Sequence, residues 1–132
     1  MCRVYHIRRL SDNMCLRAGI GQGLLSSYLS RPNKIVIAGV RDPSQPMAKA
    51  LSSLPKGQSS TLIIVNIDST SSTDTITAIE ILQSKYNIAS LDIVIANAGI
   101  SLPKAFGPVA SIKIDDVKEH VDVNALGPLH LF

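Results

Sequence analysis

Tryptophan is absent, and aromatic residues make up 4% of the 132-residue chain. Proteins that hold single-stranded nucleic acid stack bases on aromatic side chains, so the platforms for that work are lacking. Cysteine is scarce as well. Cys2 and Cys15 cannot build a disulfide framework, and with three histidines they show no zinc-ligand spacing. They are expected to be reduced thiols in a cytoplasmic protein, and no metal site is expected. No apolar run approaches the roughly 18 residues that span a bilayer. A signal peptide would need an apolar core of about 7–15 residues near the start, and none occurs. Concentrated charge is missing too. The net charge is +3, yet residues 19–132 hold nine basic and nine acidic side chains. The excess comes from Arg3, Arg8, Arg9 and Arg17, opposed by Asp12. A nucleic-acid face needs Lys and Arg clustered on a folded element, and the sequence offers none.

Apolar residues are plentiful at 45%, against 17% charged, enough for one domain with a buried core. From residue 19 the pattern is regular. Ile20, Leu24, Leu25, Tyr28 and Leu29 recur at helical spacing, and Arg31-Pro32 stops them. Residues 35–40 form a continuous β-branched run that reads as a strand buried on both faces. Pro46 suits the first turn of a short helix reaching about Ser53. A second buried strand covers 62–67. A third helix follows polar residues 69–73 and carries Ile76, Ile79, Leu82 and Tyr86 on its predicted apolar face. A third strand covers 91–96, residues 100–113 are irregular, and Asp115-Asp116 open a last helix with Val117, Val121 and Ala125 at i+4 steps. Gly127-Pro128 kinks or weakens it. Buried strands alternating with amphipathic helices predict an α/β fold, a Rossmann-like doubly wound parallel sheet. The sheet is expected to be incomplete, because no convincing strand precedes the first helix. Residues 1–18 are expected to be an atypical, poorly ordered leader, with a partial Rossmann-like domain over 19–132. Within the leader, Val4-Tyr5-His6-Ile7 is the best substitute for a strand.

The chemistry-bearing residues fall at corresponding places. Gly19-Ile20-Gly21 opens a helix, where a phosphate can approach the backbone N–H groups at the positive dipole end. Alternatively, the glycines ease helix–sheet packing. About 20 residues on, Arg41 ends the next strand, where a dinucleotide fold meets the adenosine ribose. An acid there would bind a free 2′-hydroxyl, whereas Arg suits the 2′-phosphate of NADPH; the plain alternative is a turn residue paired with Asp42. Asp68 closes the following strand and can accept from an adenine amino group or simply cap a turn. Asn97-Ala98-Gly99 closes the one after, with Gly99 holding the backbone near a cofactor or making a plain turn. Ligands of open α/β sheets bind outside the carboxyl ends of strands, which is where all these residues fall. The histidines have dull readings, and His120 is expected to face outward.

These motifs together resemble the short-chain dehydrogenase/reductase family, from Gly19 to Phe132. Gly19-Ile20-Gly21 is similar to the end of its glycine-rich TGxxxGxG motif, Asp68 to its adenine-contacting Asp, and Asn97-Ala98-Gly99 to its NAG motif. Val123-Asn124 with Gly127-Pro128 resembles the segment carrying its catalytic Asn, which implies that Asn124 holds a water in a proton relay. The alternative for Asn124 is a buried polar residue bonding its own helix. Residues 36–43 look most like fungal norsolorinic-acid-type ketoreductases. The resemblance implies hydride transfer between NADP and a small carbonyl or alcohol.

The departures from the family set further expectations. The motif's Thr-Gly aligns with Met14-Cys15, so its first glycine is missing. No Tyr-x-x-x-Lys occurs: Tyr5 meets Arg9 at +4, Tyr28 meets Pro32 and Tyr86 meets Ser90. The expected protein is therefore the cofactor-binding half of an NADP-dependent reductase, abbreviated at both ends and inactive. The abrupt change at Gly19 fits a misjoined exon or alternative start. A non-catalytic dinucleotide-binding module and a protein-interaction module are the alternatives. The expected partners are the nicotinamide dinucleotide and, in the full-length family, the carbonyl or alcohol. A homo-oligomer is left open, and neither nucleic acid nor membrane is expected.

Overall fold

A computed structural model of the chain describes residues 2–8, 19–103 and 106–132. Four parallel strands, β1 (Cys2–Arg8), β2 (Lys34–Val40), β3 (Thr61–Asn66) and β4 (Ile93–Ala96), form one sheet in the order β3-β2-β1-β4. Helix α1 (Ile20–Leu29) leads into β2, α2 (Pro46–Ala50) lies between β2 and β3, and α3 (Asp74–Tyr86) lies between β3 and β4. After β4 come α4 (Ile114–Val121), a π-helical turn over Asp122–Leu126, and α5 (Gly127–His130). The doubly wound α/β architecture expected from the pattern is present.

Alternation along the strands builds two cores. On β2, Val36, Ala38 and Val40 face α1 and α2, packing with Leu25, Leu29, Ala48 and Leu51. Ile37 points the other way, joining Ile63, Val65 and Ile67 against Ala78 and Leu82 of α3, with Ile88 and Leu131. A strand covered on both faces must be apolar at every position, which is why 36–40 reads as an unbroken run. The chain winds outward from β1 to β3, then returns through α3 to the far side of β1. The winding therefore reverses between β1 and β4, and such switch points open a crevice at the carboxyl ends of the strands.

The first strand differs from expectation. The sequence reading leaves the centre of the sheet without a convincing strand, whereas Cys2–Arg8 fills it, pairing with β2 along its length and with β4 from Val4 to Ile7. The apolar-leaning Val4–Ile7 occupies the middle of the strand, and Arg3 and Arg8 fall towards its ends. The charged stretch 9–13 and the Met14-Cys15 motif position lie outside the described residues.

Helix faces also need correcting. On α3 the buried residues are Thr75, Ala78 and Leu82, while Ile76, Ile79 and Tyr86 are exposed. On α4 Asp116 is buried, and Val117 and Val121 are exposed. Ile20, expected on the inner face of α1, is exposed, whereas Gly21, Leu25 and Leu29 are buried. Spacing establishes that a helix has an apolar face, but the docking angle against the sheet selects the row that is buried. The end of α3 shows the local chemistry expected of a C-terminus. Asn87 adopts a left-handed φ of 53°, and the Ile88 N–H donates to the Leu82 carbonyl, with both Ile88 and Leu82 buried.

Gly57 sits where α1 ends, its N–H donating to the Leu29 carbonyl at 2.8 Å. A Cβ there would lie 2.5 Å from the backbone oxygens of both Ser30 and Arg31. Backbone cannot swing aside as a side chain can. Gly57→Ala is expected to cost about 1–3 kcal/mol and to lower the thermal midpoint; an unchanged midpoint would contradict this packing.

Candidate functional site

Strand register places the predicted site residues along one edge of the sheet. Val40 pairs with both Arg8 and Asn66, and Ile7 pairs with Ala96, so the four carboxyl ends are level. Arg41, Asp68 and Asn97-Ala98-Gly99 each begin within two residues of a strand end. The N-terminus of α1 opens at the same edge, since α1 is the crossover from β1 to β2.

Gly19 caps α1 with extended backbone (φ −71°, ψ 150°), and its carbonyl accepts from Gln22 and Gly23 N–H. Among the described residues no side chain caps this helix, and no acid lies in its first turn, so no acidic side chain of the helix's own answers the positive end of its dipole. Gly23 is not a packing glycine, because an added Cβ there meets nothing within 4 Å.

Arg41 is half-buried. The Asp42 carboxylate beside it ties the turn together: Oδ1 accepts from Ser44 N–H (2.8 Å) and Ser44 Oγ (2.6 Å), and Oδ2 from Gln45 Nε2 (3.0 Å). The Ser44 hydroxyl, then the Gln45 amide, then the Ser44 N–H hold its pKa below the ordinary 3.8. A carboxylate with a depressed folded pKa stabilises above its unfolded value and loses that contribution as pH falls through the folded one. The turn that presents Arg41 is therefore held in its ionised form at neutral pH.

Asp68 is half-buried, and its Oδ1 accepts from Thr70 N–H (2.9 Å) and Thr70 Oγ1 (2.8 Å), an Asx turn. Its own N–H donates to Asp74 Oδ2 (2.9 Å), which also accepts from Asn66 Nδ2 (2.9 Å). Asp68 thus plays the turn role weighed for it, and the turn holds its carboxylate at the strand end.

Asn124 lies in the π turn. Pro128 has no N–H to offer the carbonyl four residues back, and that residue is Asn124. The helix widens there and resumes as α5, which is the weakening expected of Gly127-Pro128. Asn124 is exposed rather than buried, and it bonds across the chain rather than within its own helix. Its Oδ1 accepts from Ile100 N–H (2.7 Å), and its Nδ2 donates to the Ile100 carbonyl (2.9 Å). Gly99 makes room for this clamp, since a Cβ there would stand 3.3 Å from Asn124 Oδ1. Asn124→Ala would leave both polar groups of buried Ile100 without these partners, at a cost of about 1–3 kcal/mol. The expected readout is faster exchange of the Ile100 amide with a lower midpoint; unchanged exchange would refute the clamp.

His120 corrects another expectation. It does not face outward but is half-buried, bonded to the Leu102 N–H and the Asp116 carbonyl. The signal was its spacing: four residues before Asn124 puts it on the same helical face. His130 is also engaged, its Nδ1 lying 3.2 Å from the Ser69 carbonyl. Among the described residues no group of three or more His, Cys, Asp or Glu is placed to hold a metal ion. Nor is any helix among them long and apolar enough to cross a membrane.

The short chain dehydrogenase family model matches residues 15–132. The chain belongs to this family. A norsolorinic acid ketoreductase of Dothistroma septosporum is 46% identical over 114 residues, 86% of this chain and 41% of that protein. Another from Emericella nidulans is 44% identical, with 42% of that protein covered. The chain thus spans about two fifths of the length of these family members, and fungal ketoreductases are the kind of short-chain dehydrogenase it most resembles. Among solved structures, NADPH-bound carbonyl reductase from chicken fatty liver superposes with a TM-score of 0.72 at 26% identity, over 98% of this chain and 49% of that one. A putative carbonyl reductase of Caenorhabditis elegans shares the fold with a TM-score of 0.74 at 22% identity.

Proposed function

We propose that the chain is the NADP-binding portion of a short-chain oxidoreductase acting on a ketone or the corresponding alcohol. The observation that carries this reading is Arg41, closing β2 at the same sheet edge as the uncapped N-terminus of α1. A guanidinium and the positive end of a helix suit a ligand with phosphates at two places. In this reading the Gly19, Ile20 and Gly21 backbone receives the pyrophosphate and Arg41 the 2′-phosphate. Asp68, oriented by Thr70, meets the adenine, and Asn97-Ala98-Gly99 lines the path towards the nicotinamide. The residues present fit such a group. When bound, the nicotinamide supplies hydride chemistry. Asn124 holds the segment after Gly99 in place through Ile100, and in this reading also positions a water for proton transfer. The names of the fungal ketoreductases and the NADPH-bound carbonyl reductase support a carbonyl substrate.

Titration with NADPH and NADH, followed by nicotinamide fluorescence, tests the reading. Saturable binding that favours NADPH supports it, and failure to bind either nucleotide overturns it. The same reading places the protein in the cytosol, which cell fractionation tests.

The reading extends to the leader. Among the described strands β4 sits at the sheet edge with β1 as its neighbour, so its ladder depends on residues 4–7. A poorly ordered leader would loosen β4 while sparing the β2–β3 pair. Amides of 93–96 are then expected to exchange about tenfold or more faster than those of 36–40. Equal, strong protection in both strands would show that residues 4–7 form a working strand and overturn the poorly ordered leader.

A further inference from the structure

We propose that His120 is a positioning residue for the segment 100–103, and through it for the dinucleotide site proposed above, on which this inference rests. The protonation of its ring follows from its two neighbours. The Asp116 carbonyl lies 2.7 Å from Nδ1, and a carbonyl only accepts, so Nδ1 carries the hydrogen. The Leu102 N–H donates to Nε2 at 3.1 Å, so Nε2 presents its lone pair. Two backbone groups thus select the neutral Nδ1–H tautomer. One of them belongs to the ring's own helix, which anchors it. The other lies 18 residues away, on the segment leaving the carboxyl end of β4.

Asn124 grips the same segment two residues earlier, through both polar groups of Ile100. One helical face therefore holds residues 100 and 102 together, directly after Asn97-Ala98-Gly99. Asn124 alone would fix a single residue, about which the following chain could pivot. The second attachment at Leu102 fixes the direction in which the chain leaves the site. A proline follows at 103, which has no N–H of its own to offer. Leu102 thus carries the last backbone donor before residue 104.

Three variants of the full chain separate shape from hydrogen bonding. His120→Phe keeps a ring without an acceptor, His120→Ala removes both, and His120→Gln retains an amide oxygen able to accept from Leu102. In the unmutated chain, ring ¹⁵N shifts are expected to show the Nδ1–H tautomer. The Leu102 amide should exchange about 3- to 10-fold faster in the Phe and Ala variants and return towards the original rate in the Gln variant. NADPH affinity should fall and recover in the same order, with β2 amide protection checking that each variant folds. An Nε2–H tautomer, or Leu102 exchange unchanged in His120→Phe, overturns the attachment. Leu102 loosened with NADPH affinity unmoved overturns the positioning role. If the unmutated chain binds no nucleotide, the dinucleotide reading fails and the link to that site fails with it. The tautomer and exchange readouts still decide the attachment itself.

Discussion

Arg41→Ala is expected to weaken NADPH binding by about 10- to 150-fold while leaving NADH binding little changed. The two cofactors differ at the 2′-phosphate, and a charge-assisted hydrogen bond contributes about 1.5–3 kcal/mol, tenfold for each 1.4 kcal/mol. Val40, just before it, is apolar and buried, so no acid stands there to receive a 2′-hydroxyl. The turn after it is held by Ser44 and Gln45 on the Asp42 carboxylate, so the variant should not disturb the backbone. Arg41→Lys should recover part of the affinity, since it restores the charge but not the planar fork. Equal NADPH and NADH affinities in the unmutated chain would sink the assignment.

Purified residues 1–132 are expected to show no measurable ketone reduction with NADPH. The family resemblance implies a Tyr as general acid and a Lys that lowers its pKa. None of Tyr5, Tyr28 and Tyr86 has Lys four residues on. A positioned general acid or base typically contributes about 10²–10⁴-fold. Asn124 does not substitute for one, because a carboxamide can hold groups by hydrogen bonds but has no proton to give up near neutral pH. His120 has both ring nitrogens occupied. Turnover of a reactive ketone by the purified chain, abolished in Asn124→Ala, would show that an acid has been overlooked.

Legibility from sequence followed the range of the physics involved. The runs at 35–40 and 62–67 announced covered strands because a parallel sheet packed on both faces selects near-continuous apolar, β-branched sequence. Arg31-Pro32 and Pro46 marked helix limits because proline's missing N–H and fixed φ act within one turn. Gly19, Arg41, Asp68 and Asn97-Ala98-Gly99 could be assigned to one edge because parallel connectivity itself puts every strand's carboxyl end on the same side. The family motifs, read in order, led to the same place.

Tertiary structure decided the rest. The apolar isoleucines 76 and 79 lie outside while Thr75 lies inside, because the phase of a helix is set by the sheet beneath it. The Cys2–Arg8 strand pairs with neighbours some 30 and 90 residues away, and Val4–Ile7, the best strand candidate in its mixed sequence, is too short and too polar at its flanks to announce a central strand by itself. His120 and Asn124 find their partners 18 and 24 residues back, across an irregular segment whose course no periodicity describes. Composition and local pattern determined most of the elements from residue 19 onward and the edge on which the site lies. Which side chains meet there depended on long-range hydrogen bonds and docking angles, which exist only once the chain has folded.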